Sequence, residues 1–330
     1  MDGFLPTVPT NYPRTTDRAR KDYSVIKAQH LTKRYGDKLA VDDLSFVVRP
    51  GVVTGFLGPN GSGKSTTMRM IMGLDYPSAG TATVNGRPYQ DLAWPLREVG
   101  ALLEAKAVHP GRPAWAHLWM LAQTNCIPRR RVDEVIEMVG LGPVAHQRAG
   151  KFSLGMNQRL GIAAALLGDP GVLVFDEPVN GLDPEGILWV RTLLRHLASE
   201  GRTVFVSSHL MSEMALTADE VVVIGRGRFL AQEPIAELTA QSGTRFVRVR
   251  SPQLGLLRKA LQGYETTLES DGSLTVRGVD EALVGEVAAR EGVVLHELSP
   301  QAASLEEVFM ELTSKELEYS GSIGTERGSS

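Results

Sequence analysis

Short, uninterrupted apolar runs recur along the first two-thirds of the chain, at Val52–Leu57, Val172–Phe175, Thr203–Val206 and Glu220–Ile224. Lacking polar alternation, they predict strands covered on both faces, as in a parallel sheet. Around Leu44–Val48 and Thr81–Val84 the pattern alternates, which predicts an antiparallel portion at the start of the domain. Amphipathic stretches separate the runs, so residues from about 26 to 240 predict an α/β fold with helices flanking a parallel core sheet. Between roughly Pro113 and Leu167 strand signals give way to helical spacing over Ala114–Gln123, Arg131–Val139 and Leu154–Leu167. That segment predicts a helical insertion, about 113–167, within a domain spanning 25–241.

A second pattern follows a polar hinge near Gln241–Gly243. Thr244–Arg250 alternates like a strand, Gln253–Leu261 reads as a helix, and Thr266–Glu269 and Leu274–Arg277 flank the hairpin dipeptide Asp271-Gly272. Ala282–Arg290 (helix), Val293–Leu298 (strand) and Leu305–Thr313 (helix) complete a small α+β domain over 244–315. The order β-α-β-β-α-β is that of the ferredoxin-like unit. It holds no catalytic constellation, so a regulatory or adhesive role is expected. Residues 1–24, with Pro6, Pro9 and Pro13, predict a disordered lead-in, and the small polar residues 316–330 a disordered tail.

Composition narrows the function. The chain has 330 residues, with 35 Lys+Arg against 38 Asp+Glu and a net charge of −3. Nothing in that balance predicts a nucleic-acid or anionic-lipid partner. The one cysteine, Cys126, excludes an intramolecular disulfide and a cysteine-based zinc cluster. No apolar run approaches the ~20 residues that span a bilayer.

Chemistry concentrates after the first buried run. Gly58-Pro59-Asn60-Gly61-Ser62-Gly63-Lys64-Ser65 fits G-x-x-x-x-G-K-[ST] between a predicted strand and a helix expected from Thr67. That spacing curls backbone N–H groups around phosphate oxygens at a helix N-terminus. Lys64 would reach the β- and γ-phosphates and the Ser65 hydroxyl would ligate Mg²⁺. A second landmark is the run Val172–Phe175 ending in Asp176 and Glu177. Adjacent acids at the end of a buried strand are costly without a cation to answer them. Asp176 is expected to hold Mg²⁺ and Glu177 to polarise an attacking water; a helix N-cap and a surface acid are their bland alternatives. Lys64 and Asp176 stand 112 residues apart, with the helical insertion between. At the end of that insertion Ser153 suits an N-cap and Gly155 allows close backbone approach, a second anion site.

This ordered set resembles the ATP-binding cassette of ABC transporters across about residues 26–240. The resemblance implies a P-loop ATPase that binds ATP and Mg²⁺ and closes head to tail on a second cassette. It assigns ATP contacts to Gly58–Ser65, Thr66, Tyr35, Val41 and Glu104, with Tyr35 stacking on adenine. Glu177, His209 and Lys64 would be catalytic, and Ser65, Asp176 and Glu104 would face the metal. Ser153, Leu154, Gly155 and Met156 would form the signature that caps the partner's nucleotide, and Asp183 would lie in the loop crossing the dimer. Separate transmembrane permease subunits are implied, with peripheral association at the cytoplasmic membrane face. A homodimer is favoured, since both half-sites of this chain look competent, and no nucleic acid is expected.

The chain departs from the family pattern in two places. Phe152-Ser153-Leu154-Gly155-Met156 replaces LSGGQ, and Glu104 stands where most cassettes have Gln. Both resemble the bacitracin-, lantibiotic- and daunorubicin-type exporter branch, as does Ser304-Leu305-Glu306-Glu307-Val308-Phe309. An importer ATPase, or a soluble cassette protein acting on ribosomes or DNA, are the alternatives. Three other features have bland alternatives: Tyr35 as a strand aromatic, Arg129–Arg131 as a solvated helix start, and Trp94, Trp115 and Trp119 as core packing.

Overall fold

The computed structural model describes residues 25–104, 108–241, 246–301, 304–310 and 312–313. The expected lead-in 1–24, the tail 316–330, hinge residues 242–243 and the first two residues of the strand expected from Thr244 lie outside the described residues. The chain divides into two compact units between Gln232 and Glu233, earlier than the boundary expected at 241.

The first unit opens with strands β1 (Ile26–Tyr35) and β2 (Lys38–Val48), paired antiparallel. After β3 (Val53–Leu57) and helix α1 (Lys64–Ile71), strand β4 (Ala79–Val84) joins the other edge of β1. The antiparallel sheet is thus β2-β1-β4. Its inward residues Leu44, Phe46 and Val48 alternate with more exposed neighbours, which is the signature read around Leu44–Val48. All five residues of β3 are buried, as a strand with both faces covered requires.

The larger sheet runs β5-β6-β7-β3-β8-β9, formed by β5 (Val99–Leu102), β6 (Val172–Asp176), β7 (Thr203–Ser208), β3, β8 (Glu220–Gly225) and β9 (Arg228–Pro234). From β5 to β8 every neighbouring pair is parallel. Phe46 of the antiparallel sheet meets Phe56 and Phe205 of the parallel one, with ring centroids 5.1–5.6 Å apart. That triad joins the two sheets behind the phosphate loop; truncating one such ring to alanine costs about 3–5 kcal/mol.

Helix α2 (Pro95–Glu98) leads into β5, and the insertion holds α3 (Ala114–Thr124), α4 (Arg129–Met138) and α5 (Leu154–Leu166). Helices α6 (Pro184–Ser199) and α7 (Met211–Thr217) complete the first unit. Trp115 and Trp119 stack at 5.9 Å and are half-buried, but Trp94 is 47% exposed. Trp94 is therefore not a core residue as expected: it lies at the N-cap of α2, with the Arg97 guanidinium 5.6 Å from its ring centroid.

The second unit has α8 (Ile235–Gln241), β10 (Phe246–Arg250), α9 (Leu254–Ala260), β11 (Thr266–Leu268), β12 (Leu274–Arg277), α10 (Glu281–Arg290) and β13 (Glu297–Gln301). Its sheet runs β11-β12-β10-β13, antiparallel throughout, the arrangement of the expected ferredoxin-like unit. The last strand starts four residues later than Val293–Leu298 predicts. Val293 is 7% exposed and belongs to the core of this unit, and the ladder begins only where Glu297 meets Arg250. Apolar content at Val293 and Leu295 marked burial, not pairing.

Candidate active site

The loop between β3 and α1 is shaped by backbone conformation first. Gly63, at φ +103°, is the left-handed cap of α1, and a Cβ there would press on the Ala40 carbonyl at 2.7 Å. Helix α1 starts at Lys64, three residues before the expected Thr67, so the first-turn amides of Lys64, Ser65 and Thr66 have no intrahelical acceptor. They face a favourable site for anions. Lys64 is buried, and its ammonium donates to the carbonyls of Gly58 (2.7 Å) and Pro59 (3.3 Å). Burial pulls its pKa down, while the carboxylates of Glu177 and Asp176 oppose that shift. Ser65 is exposed. The Ser62 hydroxyl is buried inside the loop with no hydrogen-bond partner among the described residues.

The two acids sit at the end of β6. Asp176 accepts a short hydrogen bond from the Ser207 hydroxyl of β7, and the same hydroxyl accepts from the Glu177 amide at 3.0 Å. Glu177 occupies the left-handed region at φ +50°, a conformation that costs a non-glycine residue roughly 1–2 kcal/mol. Gln158 of α5, almost fully buried, braces it by donating to the carbonyls of Glu177 (3.2 Å) and Pro178 (2.8 Å). The turn aims the Glu177 carboxylate at His209, whose Nδ1 lies 2.7 Å from its Oε2. Sequence reasoning missed Ser207 and Gln158. Their signals were a polar end to the apolar run Thr203-Val204-Phe205-Val206 and an amide one turn into the signature helix.

The remaining expected residues fall around this centre. Tyr35, 46% exposed at the end of β1, donates its hydroxyl to Asp75 Oδ2 at 2.9 Å. Burial, then this bond, raises its pKa, so it stays a donor. Val41 is fully buried, 3.1 Å from where a Cβ of Gly63 would lie. It therefore supports the loop and offers no surface to a base, contrary to the contact expected of it. Glu104 is exposed two residues past β5, the strand beside β6. Ser153 caps α5 by accepting from the Met156 amide at 3.2 Å. Leu154 is exposed and Gly155 and Met156 are half-buried in its first turn. Asp183 caps α6, accepting from the Gly186 amide at 2.9 Å. Asn60 and Gly61 form the exposed tip of the phosphate loop.

These residues fit a metal-bound triphosphate. The orphaned Ser62 hydroxyl and the first-turn amides suit phosphate oxygens, and Ser65 with Asp176 gives the hard oxygen donors that Mg²⁺ prefers. A carboxylate held against an imidazole is a base able to take a proton from water.

Residues 41–180 match the ABC transporter family, and residues 245–306 match a domain of unknown function (DUF8746). The chain is 35% identical to the uncharacterized ABC transporter ATP-binding protein YhcH of Bacillus subtilis (strain 168), over 88% of this chain and 96% of that one. The bacitracin transport ATP-binding protein BcrA of Bacillus licheniformis is 35% identical over 88% and 97% of the two chains. Nod factor export ATP-binding protein I of Burkholderia orbicola (strain AU 1054) is 35% identical over 89% and 98%. Among solved structures, an ATP-binding subunit of an ABC transporter superposes with a TM-score of 0.61 at 26% identity, covering 66% of this chain and 93% of its own. The dimeric bacterial cassette MJ0796 shares the fold, with a TM-score of 0.59 at 24% identity over 64% and 98%.

Proposed function

Because the chain belongs to the ABC transporter ATP-binding proteins, we propose that it is the ATP-hydrolysing subunit of an exporter whose membrane path is supplied by separate chains. Among the described residues no helix is long and apolar enough to cross a membrane; peripheral attachment at the cytoplasmic face follows from the family relationship, not from that absence. Export is favoured by the relatives named for bacitracin transport and Nod factor export. The cargo is of that drug, antibiotic, peptide or lipid-like kind.

The observation that carries the hydrolytic reading is the joined set Asp176, Ser207, Glu177 and His209 at the ends of two adjacent parallel strands. Lys64 and the first-turn amides of α1 hold the triphosphate. Ser65 and Asp176 would hold Mg²⁺, which when bound neutralises phosphate charge, and Glu104 would be a further carboxylate available to it. Glu177 orients water and takes its proton, and His209 holds that carboxylate in line while facing the γ-phosphate. Ser153 and the first turn of α5 present a second anion site, which would close on nucleotide held by another cassette. ATP bound across such an interface favours the closed pair, and hydrolysis removes that preference.

Glu177→Gln keeps the shape of the site and removes the base. Turnover is expected to fall at least ~100-fold, while MgATP binding persists and a dimer accumulates in size-exclusion chromatography. Turnover close to wild type would remove Glu177 from the role.

A further inference from the structure

We propose that Asp75 is a positioning residue for the nucleotide base: it pins the Tyr35 ring in its stacking pose and ties that ring to the helix that holds the phosphates. The inference rests on the reading that Tyr35 stacks on the base. Tyr35 is an aromatic residue 46% exposed, and an exposed ring ordinarily samples several rotamers. Here it is held at two points. Its hydroxyl donates to Asp75 Oδ2 at 2.9 Å, and the Lys33 ammonium lies 4.9 Å from the ring centroid while donating to the Tyr76 carbonyl at 2.6 Å. The cation takes one face, and Tyr35 still keeps 46% of its surface exposed, where a base could stack.

Asp75 is itself fixed. The same Oδ2 accepts from Arg69 Nε at 2.8 Å, and the Asp75 and Leu74 amides both donate to the Arg69 carbonyl, at 3.3 and 2.9 Å. Arg69 lies in the last turn of α1, whose first residue is Lys64. One eight-residue helix therefore carries the phosphate-binding lysine at one end and, through Arg69 and Asp75, the base-stacking ring at the other. The spacing between phosphate site and base site is set before nucleotide arrives. A pre-set ring spares the rotamer entropy that binding would otherwise cost.

The test uses the full chain and two magnesium-bound ligands, ATP and inorganic tripolyphosphate, titrated by calorimetry. Asp75→Ala is expected to weaken ATP roughly three- to tenfold, the net weight of one ordinary hydrogen bond, and to leave tripolyphosphate unchanged. Tyr35→Phe, which keeps the ring and loses only the hydroxyl, should weaken ATP to the same degree. The two changes combined should be no worse than the larger one alone. Equal loss of both ligands in Asp75→Ala would overturn the proposal, because it marks general damage to the site. Multiplying effects in the double variant would also overturn it. Tyr35→Ala separates the underlying reading: if it weakens ATP while Asp75→Ala and Tyr35→Phe do not, stacking stands and the clasp falls. If Tyr35→Ala leaves ATP binding intact, stacking itself is wrong.

Discussion

Glu177 shows how single residues in this site depend on neighbours distant in sequence. Its left-handed backbone is unfavourable alone and is held by Ser207 and Gln158. Gly181 is the second residue whose conformation is dictated locally. It lies at φ +73°, and a Cβ there would overlap the Cδ2 of Leu154, the residue that replaces a glycine in the signature. Glycine at 181 thus relieves backbone strain there and leaves the exposed Leu154 side chain its place. Gly181→Ala is expected to lower ATP turnover roughly tenfold, below the ~10²-fold that an ångström of misplacement can cost. Adding Leu154→Ala should restore part of that loss. A steady-state ATPase assay of the two single variants and the double checks this; no recovery in the double would show that backbone strain at 181, not the contact, is responsible. The places of Lys64, Asp176, Glu177 and Ser153 at strand ends and helix starts were legible from short motifs, and that of His209 from its position just after a buried run. Ser207 and Gln158 were not, since their partners lie 30 and 19 residues away and only the fold unites them. Val41 misled because its apolar character suits a buried support as well as a base contact.

At the scale of elements, the helical insertion is fastened to the core by two arginines. The Arg131 side chain on α4 is only 11% exposed, so it is not the solvated helix start that the run Arg129–Arg131 implied. It donates to the carbonyls of Leu166 (2.8 Å) and Leu167 (3.3 Å) at the end of α5 and lies 3.3 Å from Glu134. Asp169, just beyond, pairs with Arg202 at 2.8 Å, and Arg202 also donates to the Pro170 carbonyl at 3.1 Å. The end of the signature helix is thereby held from both sides. Arg131→Ala is expected to destabilise the first unit by about 1–3 kcal/mol, because the carbonyls lose a charged donor. Arg131→Lys should recover little, since lysine lacks the planar fork whose Nε and Nη2 reach the two carbonyls separately. Urea unfolding followed by tryptophan fluorescence reads the effect; a midpoint unmoved by Arg131→Ala would refute it. Helix existence was legible here from periodicity, since α3, α4 and α5 fall within two residues of expectation. What the arginines do was not, because charge runs look alike whether they cap a neighbouring helix or face water.

For the whole molecule, the division of labour follows where the cores and the site residues fall. Tyr35 through His209 all belong to the first unit, with its core around Phe46, Phe56 and Phe205. The second unit has a separate apolar core built from Val247, Val249, Leu257, Leu274, Val276 and Val284. The strand spacing and the β-α-β-β-α-β order made both units legible. The order β5-β6-β7-β3-β8-β9 was not, since pairing between strands more than a hundred residues apart leaves no local trace. Its consequence is functional: it sets β3, with the phosphate loop, beside β7 and one strand from β6, bringing Lys64 and Asp176 together. Nucleotide binding is therefore expected to be carried by the first unit. Removing residues 244–330 is expected to leave magnesium-dependent ATP affinity within about threefold, as for changes remote from a site. We propose that the second unit strengthens pairing of two chains. In the Glu177→Gln background, ATP-driven dimers should then shift toward monomer in sizing experiments once 244–330 are removed. An undiminished dimer would deny the second unit that role while leaving the first unit's chemistry as described, and a loss of ATP affinity would mean that the site draws on residues beyond its own unit.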